Sequence, residues 1–207
     1  MDLAELRRES NLFLRSRGVQ VNETLPLIEP ADAVRPKTAQ FVAKRLCAMG
    51  YIIRAGFGMP LQEVGEWIDK LGLGDTLGSG ERSIIGSRTI TEQQKINFGW
   101  LAEGAQVLAW ALAMAELDHF RHCDDDLATK VPFMADVADF VEGAQLVPLA
   151  AIQRQADLLY AMHWATVEAR LHGQTGPLNE SLIRERRRAV DWVYGVEQDW
   201  DEVPLDT

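Results

Sequence analysis

The stretch Ile96 to Ala115, INFGWLAEGAQVLAWALAMA, decides the fold class, because it reads as a long buried helix with a single formal charge in it. From Gly104 to Ala115 no charge occurs. At about 100° per residue, Ile96, Trp100, Val107, Trp110 and Met114 share an arc of roughly 80°, and Glu103 falls inside it. A carboxylate in such a place is costly to desolvate unless it is paired or protonated. Glu103 therefore calls for a partner elsewhere in the chain, and the search for that partner organises the reading of the rest.

Working outward, helical periodicity is present almost everywhere, and no segment shows strand alternation bounded by hairpin turns. A first helix is predicted over Asp2 to Ser16, stopping at Gly18, and an irregular connection over Asn22 to Arg35. Pro36 suits the first turn of a second helix, which presents Phe41, Val42, Leu46, Met49 and Ile53. Pro60 opens a shorter one with Leu61, Val64, Ile68 and Leu71. Gly72, Gly74, Gly78 and Gly80 read as a flexible loop. The central helix starts near Thr89 or Thr91, Thr89 with Glu92 matching a capping box, and runs to about Leu117. Asp118 to Pro132 reads as an acidic surface loop. A short helix near Ala135 to Gln145, a long one from Pro148 to Gly173 and a last one capped by Asn179 or Ser181 and ended by Gly195 complete the set. The expected architecture is all-α: an irregular bundle of about seven helices in one domain, residues 1–207, with a C-terminal tail, 196–207, packed on the body through Trp200.

Composition narrows the class. With 47% hydrophobic and 25% charged residues the chain falls among soluble globular proteins. MDLAELRRES has no apolar run, which predicts no signal peptide, and no uncharged stretch reaches the ~18 residues of a membrane span. Two cysteines, Cys47 and Cys123, make no disulfide framework and point to a cytoplasmic, reducing setting. The net charge of -10 is concentrated: positions 116 to 126 carry -4 and the last eleven residues -5, whereas residues 1 to 60 hold nine Lys or Arg against six Asp or Glu. That distribution argues against nucleic acid as a partner and allows a basic protein partner. Two solvated acidic turns that keep the protein soluble are the plainer alternative.

Polar residues inside apolar stripes recur on the last two long helices. His163 lies among Leu149, Ile152, Ala156, Leu159, Tyr160 and Val167, and Arg186 lies among Leu182, Ala189 and Val193. Glu103 is expected to meet Arg186, His163 or both, with Asp157 and Arg187 at the edge of the same network. A catalytic version makes Glu103 or His163 a general acid or base and Arg186 the anchor of an anionic substrate. The alternative is a salt-bridge network that joins three helices without turnover, and structural ion pairs often imitate active sites.

His119, His122, Cys123 and Asp124 fall within six residues and are the weak metal candidates. Glu116 with His119 forms one Glu-x-x-His unit, but di-iron bundles need two, and a structural zinc site needs a matching distal pair. No metal and no cofactor is expected. The glycines at 72 to 80 match neither nucleotide fingerprint, and no nucleophile arrangement stands out from spacing.

Several fragments together carry a resemblance: Leu25-Pro26, the W-x-x-E of Trp100 and Glu103, WAL at Trp110 to Leu112, DLLYAMHWA from Asp157, ERRRAVDW from Glu185 and WDEVPLDT from Trp200. Over nearly its whole length the chain resembles the family catalogued as domain of unknown function 4272, mainly bacterial helical proteins with no established activity, cofactor or substrate. The resemblance implies that Glu103, Asp157, His163, Trp164, Arg186, Arg187, Trp200, Asp201 and Asp206 belong to the family's characteristic set. Leu101 and Ala161 stand where that pattern has arginines, which implies a reduced or altered polar site. The functional expectation is a non-catalytic binding protein of immunity or adaptor type using acidic surface segments. A hydrolase or transferase built on Glu103, His163 and Arg186 is the alternative, and a small-molecule sensor the third.

Overall fold

The computed structural model describes residues 2–207, and among them the fold is all-helical, with eight α-helices and no strand. They are α1 (Leu3–Ser16), α2 (Ala39–Gly56), α3 (Leu61–Lys70), α4 (Ser79–Ser87), α5 (Glu92–Ala111), α6 (Ala138–Glu142), α7 (Leu149–Leu171) and α8 (Glu180–Tyr194). Local chemistry sets most of the starts. Asp2, Thr38 and Asn179 each turn a side-chain oxygen to a first-turn N–H of α1, α2 and α8. At α5 the capping box is Thr91 with Gln94, two residues beyond the Thr89 pair: Gln94 N donates to Thr91 Oγ1 at 3.2 Å and Thr91 N to Gln94 Oε1 at 2.8 Å.

α5 is the central element, packed between α2 and α8, while α8 also packs on α7 and α7 on α1. Enclosure on two sides explains why no single arc describes its burial: every residue from Glu103 to Ala109 is buried, whereas Ile96, in the predicted arc, is exposed. The first turns of α5 lie against the end of α2 at Gly56 on one side and are open to solvent at Ile96 on the other. No helix among the described residues is long and apolar enough to cross a membrane.

Four features depart from the predicted elements. α2 begins at Ala39 behind the Thr38 cap, so Pro36 lies before its first turn. α5 stops at Ala111 and not at Leu117, because Ala113 takes a left-handed φ of 58° and Met114 N returns to Ala109 O at 2.8 Å. Neither glycine nor proline marks that stop, so nothing local announces it. The glycine loop contains α4: Glu81 Oε2 accepts from Gly78 N at 2.9 Å, and a Cβ on Gly78 would come within 2.6 Å of the Asp201 carboxylate. The glycines there admit a close neighbour rather than confer flexibility. The short helix after residue 135 is only α6.

The tail is fixed to the body. Trp200 is 2% exposed, lies edge-on to Trp192 with centroids 5.6 Å apart, and has the Arg45 guanidinium 4.4 Å above its ring. Lys37 Nζ donates to the carbonyls of Glu197 and Gln198. Asp201 Oδ2 accepts from Gly80 N at 2.7 Å, which caps the first turn of α4.

Candidate functional site

Glu103 reaches the interior from the middle of α5, and Arg186 reaches it from α8. Arg186 donates to Glu103 Oε2 through Nε at 3.1 Å and Nη2 at 2.8 Å, with both side chains almost fully buried. The remaining donors turn to the loop after α5: Nη1 to the carbonyl of Asp118 at 2.6 Å and Nη2 to that of Arg121 at 2.9 Å. Glu103 Oε1 is taken by His122 Nδ1 at 2.8 Å and by Cys123 N at 3.3 Å. Both carboxylate oxygens are therefore occupied. The early stop of α5 makes this possible, since a helix continued to Leu117 would carry the loop away from Arg186.

Gln106, one turn further along α5 and 2% exposed, extends the arrangement. Its Nε2 donates to Glu116 O at 2.7 Å and Asp124 Oδ2 at 3.0 Å, and its Oε1 accepts from Asp124 N at 3.0 Å. Three buried side chains thus satisfy five backbone groups of one loop: the carbonyls of Glu116, Asp118 and Arg121 and the amides of Cys123 and Asp124. Phe120 adds an edge-on contact with Phe13 of α1. The surface of the same loop is acidic, with Glu116, Asp118, Asp124, Asp125 and Asp126 all exposed.

His163 does not meet Glu103. Its Nδ1 faces Arg187 Nη1 at 2.8 Å, and Arg187 also donates to the carbonyl of Asp206 at 2.8 Å and to Asp191 Oδ2 at 3.2 Å. Burial, followed by the charge of Arg187, lowers His163 to about 4. Burial pushes the Asp191 carboxyl up to about 7, against the opposing pull of Arg187. Asp157 is in a third place: it accepts from Arg7 Nη2 at 2.7 Å and Ser10 Oγ at 2.6 Å, tying α1 to α7. Asp157 and Arg187, expected at the edge of the Glu103 network, belong to separate groups instead, with the Tyr160 ring 5.5 Å from the Arg7 guanidinium and 4.6 Å from that of Arg187. Residues adjacent on one helical face are divided in this way because α1 and the tail each approach a different side of α7 and α8. Trp164 is half-buried beside this group.

The metal candidates also diverge. His119 turns inward to Gln155, its Nε2 2.8 Å from Oε1, and burial lowers it to about 4. His122 is held by Glu103, Cys123 is half-buried, and Asp124 is engaged by Gln106 and lies 3.7 Å from Lys130. Among the described residues no three His, Cys, Asp or Glu side chains are grouped to hold a metal ion.

Four important polar residues escape the sequence pattern, and for different reasons. Arg45, 0% exposed, pairs with Glu81 at 2.6 and 2.9 Å. It sits between Val42, Leu46 and Met49, so the criterion that picked out Glu103 would have found it on α2. Glu81 belongs to the unforeseen α4. Gln106 lies inside the uncharged run from Gly104 to Ala115, where a neutral amide does not stand out as a charge does, and Asp191 carries no pattern that separates it from surface residues. Leu101 and Ala161, where the family resemblance puts arginines, are buried among apolar neighbours.

Neither a curated protein nor a solved structure matches the chain. A family model does, across residues 6–203, and the chain belongs to that family, described as Domain of unknown function (DUF4272).

Proposed function

We propose that the protein acts by binding a basic partner protein through the acidic loop 116–126, in the reducing interior of the cell, rather than by turnover. The observation that carries this reading is the rigid support of an irregular, charged loop by Glu103, Gln106 and Arg186. Fixing a recognition loop before binding removes ordering entropy that association would otherwise cost. An acidic face attracts basic partners and raises the rate of encounter. Glu103 suits this supporting role better than proton transfer, because each oxygen already accepts hydrogen bonds and the side chain is 4% exposed.

The test compares two variants that remove equal charge: Asp125→Asn/Asp126→Asn in the loop and Glu202→Gln/Asp206→Asn in the tail. Binding to an array of lysine- and arginine-rich peptides is read at low and physiological salt. The loop variant should lose about ten-fold in affinity and the tail variant far less. Equal losses would mean that net charge alone attracts the peptides, and the reading would fail.

A hydrolase or transferase is a second reading, supported by a pair other than Glu103 with His163. Glu103 holds Nδ1 of the exposed His122, which leaves Nε2 to the solvent as in a carboxylate-oriented base. Ester hydrolysis that survives His122→Ala unchanged would rule it out.

A further inference from the structure

A cleft of about 640 Å³ opens between α4, the first turns of α5, α8 and the tail. No residue of the acidic loop lines it, although Trp100 on its wall lies 6.3 Å from His122 of that loop, centroid to centroid, and it falls within the usual size range of small-molecule sites, about 300–1,000 Å³. Phe98, Trp100, Leu101 and Ile84 give it an apolar wall, while Arg184 and Arg188, one turn apart on α8, line the side toward the tail. Trp200 lines it as well.

Hydrogen bonding identifies what is missing there. Among the described residues only four buried side-chain nitrogen or oxygen atoms lack a partner: Asn11 Oδ1, Arg45 Nε, Arg188 Nε and Trp200 Nε1. Two of the four belong to residues lining this cleft, and both are donors. Buried donors are paired as a rule, so the absent partner is an acceptor. Charge defines it further. Arg188 donates to the Glu185 carboxylate at 2.8 and 3.1 Å, and Arg184 Nε lies 3.8 Å from the same group. Glu81 is taken by Arg45, and Asp201 by the first turn of α4. Of the two guanidinium groups that share the Glu185 carboxylate, that of Arg184 is the loosely held one and is free to turn to an acceptor, while Asp201, capped by a backbone N–H and not by a cation, balances the remaining formal charge of the cleft. In such a balanced lining an acceptor with two planar oxygens and one charge is better suited than a phosphate dianion, which would add two negative charges beside Glu185 and Asp201.

We propose that this cleft binds an organic monocarboxylate, with its head between Arg184, Arg188 and the Trp200 indole and its apolar body on Phe98, Trp100 and Leu101. Planar two-oxygen acceptors match guanidinium donors. Arg188 Nε and Trp200 Nε1 are closed to bulk water, so the head reaches them by a shift of the Arg188 side chain.

Calorimetric titration of the full chain with phenylacetate, hexanoate, 2-phenylethanol and inorganic phosphate tests this. At least one carboxylate should bind saturably and move one tryptophan indole N–H resonance, the one missing from the Trp200→Phe spectrum. The alcohol and phosphate should bind at least about ten-fold more weakly. Arg184 is half-exposed, so Arg184→Gln should fold and weaken carboxylate binding about ten-fold, while Arg154→Gln on α7 should not. Absence of saturable carboxylate binding, phosphate binding as tight as carboxylate, or an Arg184→Gln variant that binds like the parent would each overturn the proposal. If Trp200→Phe does not fold, the Arg184→Gln comparison decides.

Discussion

Arg187 Nη1 lies 2.8 Å from Nδ1 of His163, and a guanidinium can only donate. The imidazole is therefore neutral, with its proton on Nε2. His119 has the same polarity: its Nε2 faces Gln155 Oε1, and its Nδ1 lies toward Arg186 Nη1 at 3.5 Å. Two buried histidines thus serve as acceptors for arginines of α8.

The pH dependence follows with a definite sign. His163 is lowered from 6.5 to about 4, so the unfolded chain binds the extra proton between those values. Its contribution is complete above about 6.5 and is lost as the pH falls to 4. In urea titrations the stability advantage over His163→Gln should shrink by about 2 kcal/mol from pH 7 to 4, allowing for solvent screening near the tail. A constant difference would refute the neutral assignment.

Asp191 gives the mirror image. Raised from 3.8 to about 7, it holds its proton in the folded state between those values, so its contribution is present below 3.8 and lost as the pH rises through 7. Asp191→Asn should therefore gain on the parent between pH 4 and 7. A gain in the opposite direction would mean that Arg187 keeps the carboxylate ionised.

Removing the charge of Glu103 leaves Arg186 buried without a counter-ion. Glu103→Gln should cost about 3 kcal/mol or more and lower Tm by roughly 6–12 °C. Arg186→Lys should be comparably harmful, since one ammonium cannot reach Glu103, Asp118 and Arg121 together. In both variants the amide of Cys123 should exchange faster with solvent. Unchanged melting and exchange would show that the loop stands without this support.

Tail removal separates packing from tethering. Truncation after Gly195 removes Trp200, Val203, the partners of Lys37 and the cap of α4. Trp200→Ala alone should cost about 3–5 kcal/mol, and the truncation should cost more. A truncated chain with the parental melting curve would mean that the tail contributes nothing.

Gly195 and Gly18 form an internal control for backbone strain. Both have positive φ, 90° and 71°, but a Cβ on Gly195 would fall 2.0 Å from the Arg35 carbonyl oxygen, while one on Gly18 meets nothing within 4 Å. Gly18→Ala should cost about 1–2 kcal/mol, the price of the left-handed conformation. Gly195→Ala should cost clearly more, because the connection before α2 must also move. Equal losses in thermal melts would remove the steric argument.

Helix class, most helix starts and the need for a partner at Glu103 were legible because caps, prolines and 3.6-residue periodicity act over short distances. The pairing of Glu103 with Arg186 was legible too, since each is a charge within an apolar stripe. The separation of His163 and Asp157 from that pair was not. Their stripes coincide in sequence pattern, but α1 and the tail cover different sides of them. Helix α4 was hidden by its glycines, whose purpose depends on Asp201, more than a hundred residues away.

The sequence by itself determined an all-helical chain with charges that had to be neutralised inside it, because desolvating a charge is costly wherever the helix comes to lie. Only the tertiary structure kept His163 out of the Glu103–Arg186 pair and assigned the other buried charges their partners. It ended α5 at Ala111 without a local signal, turned the following loop back over Glu103 and Arg186, and seated Trp200 against Gly104 and Arg45. Those choices depend on the relative placement of distant segments, and periodicity does not encode that placement.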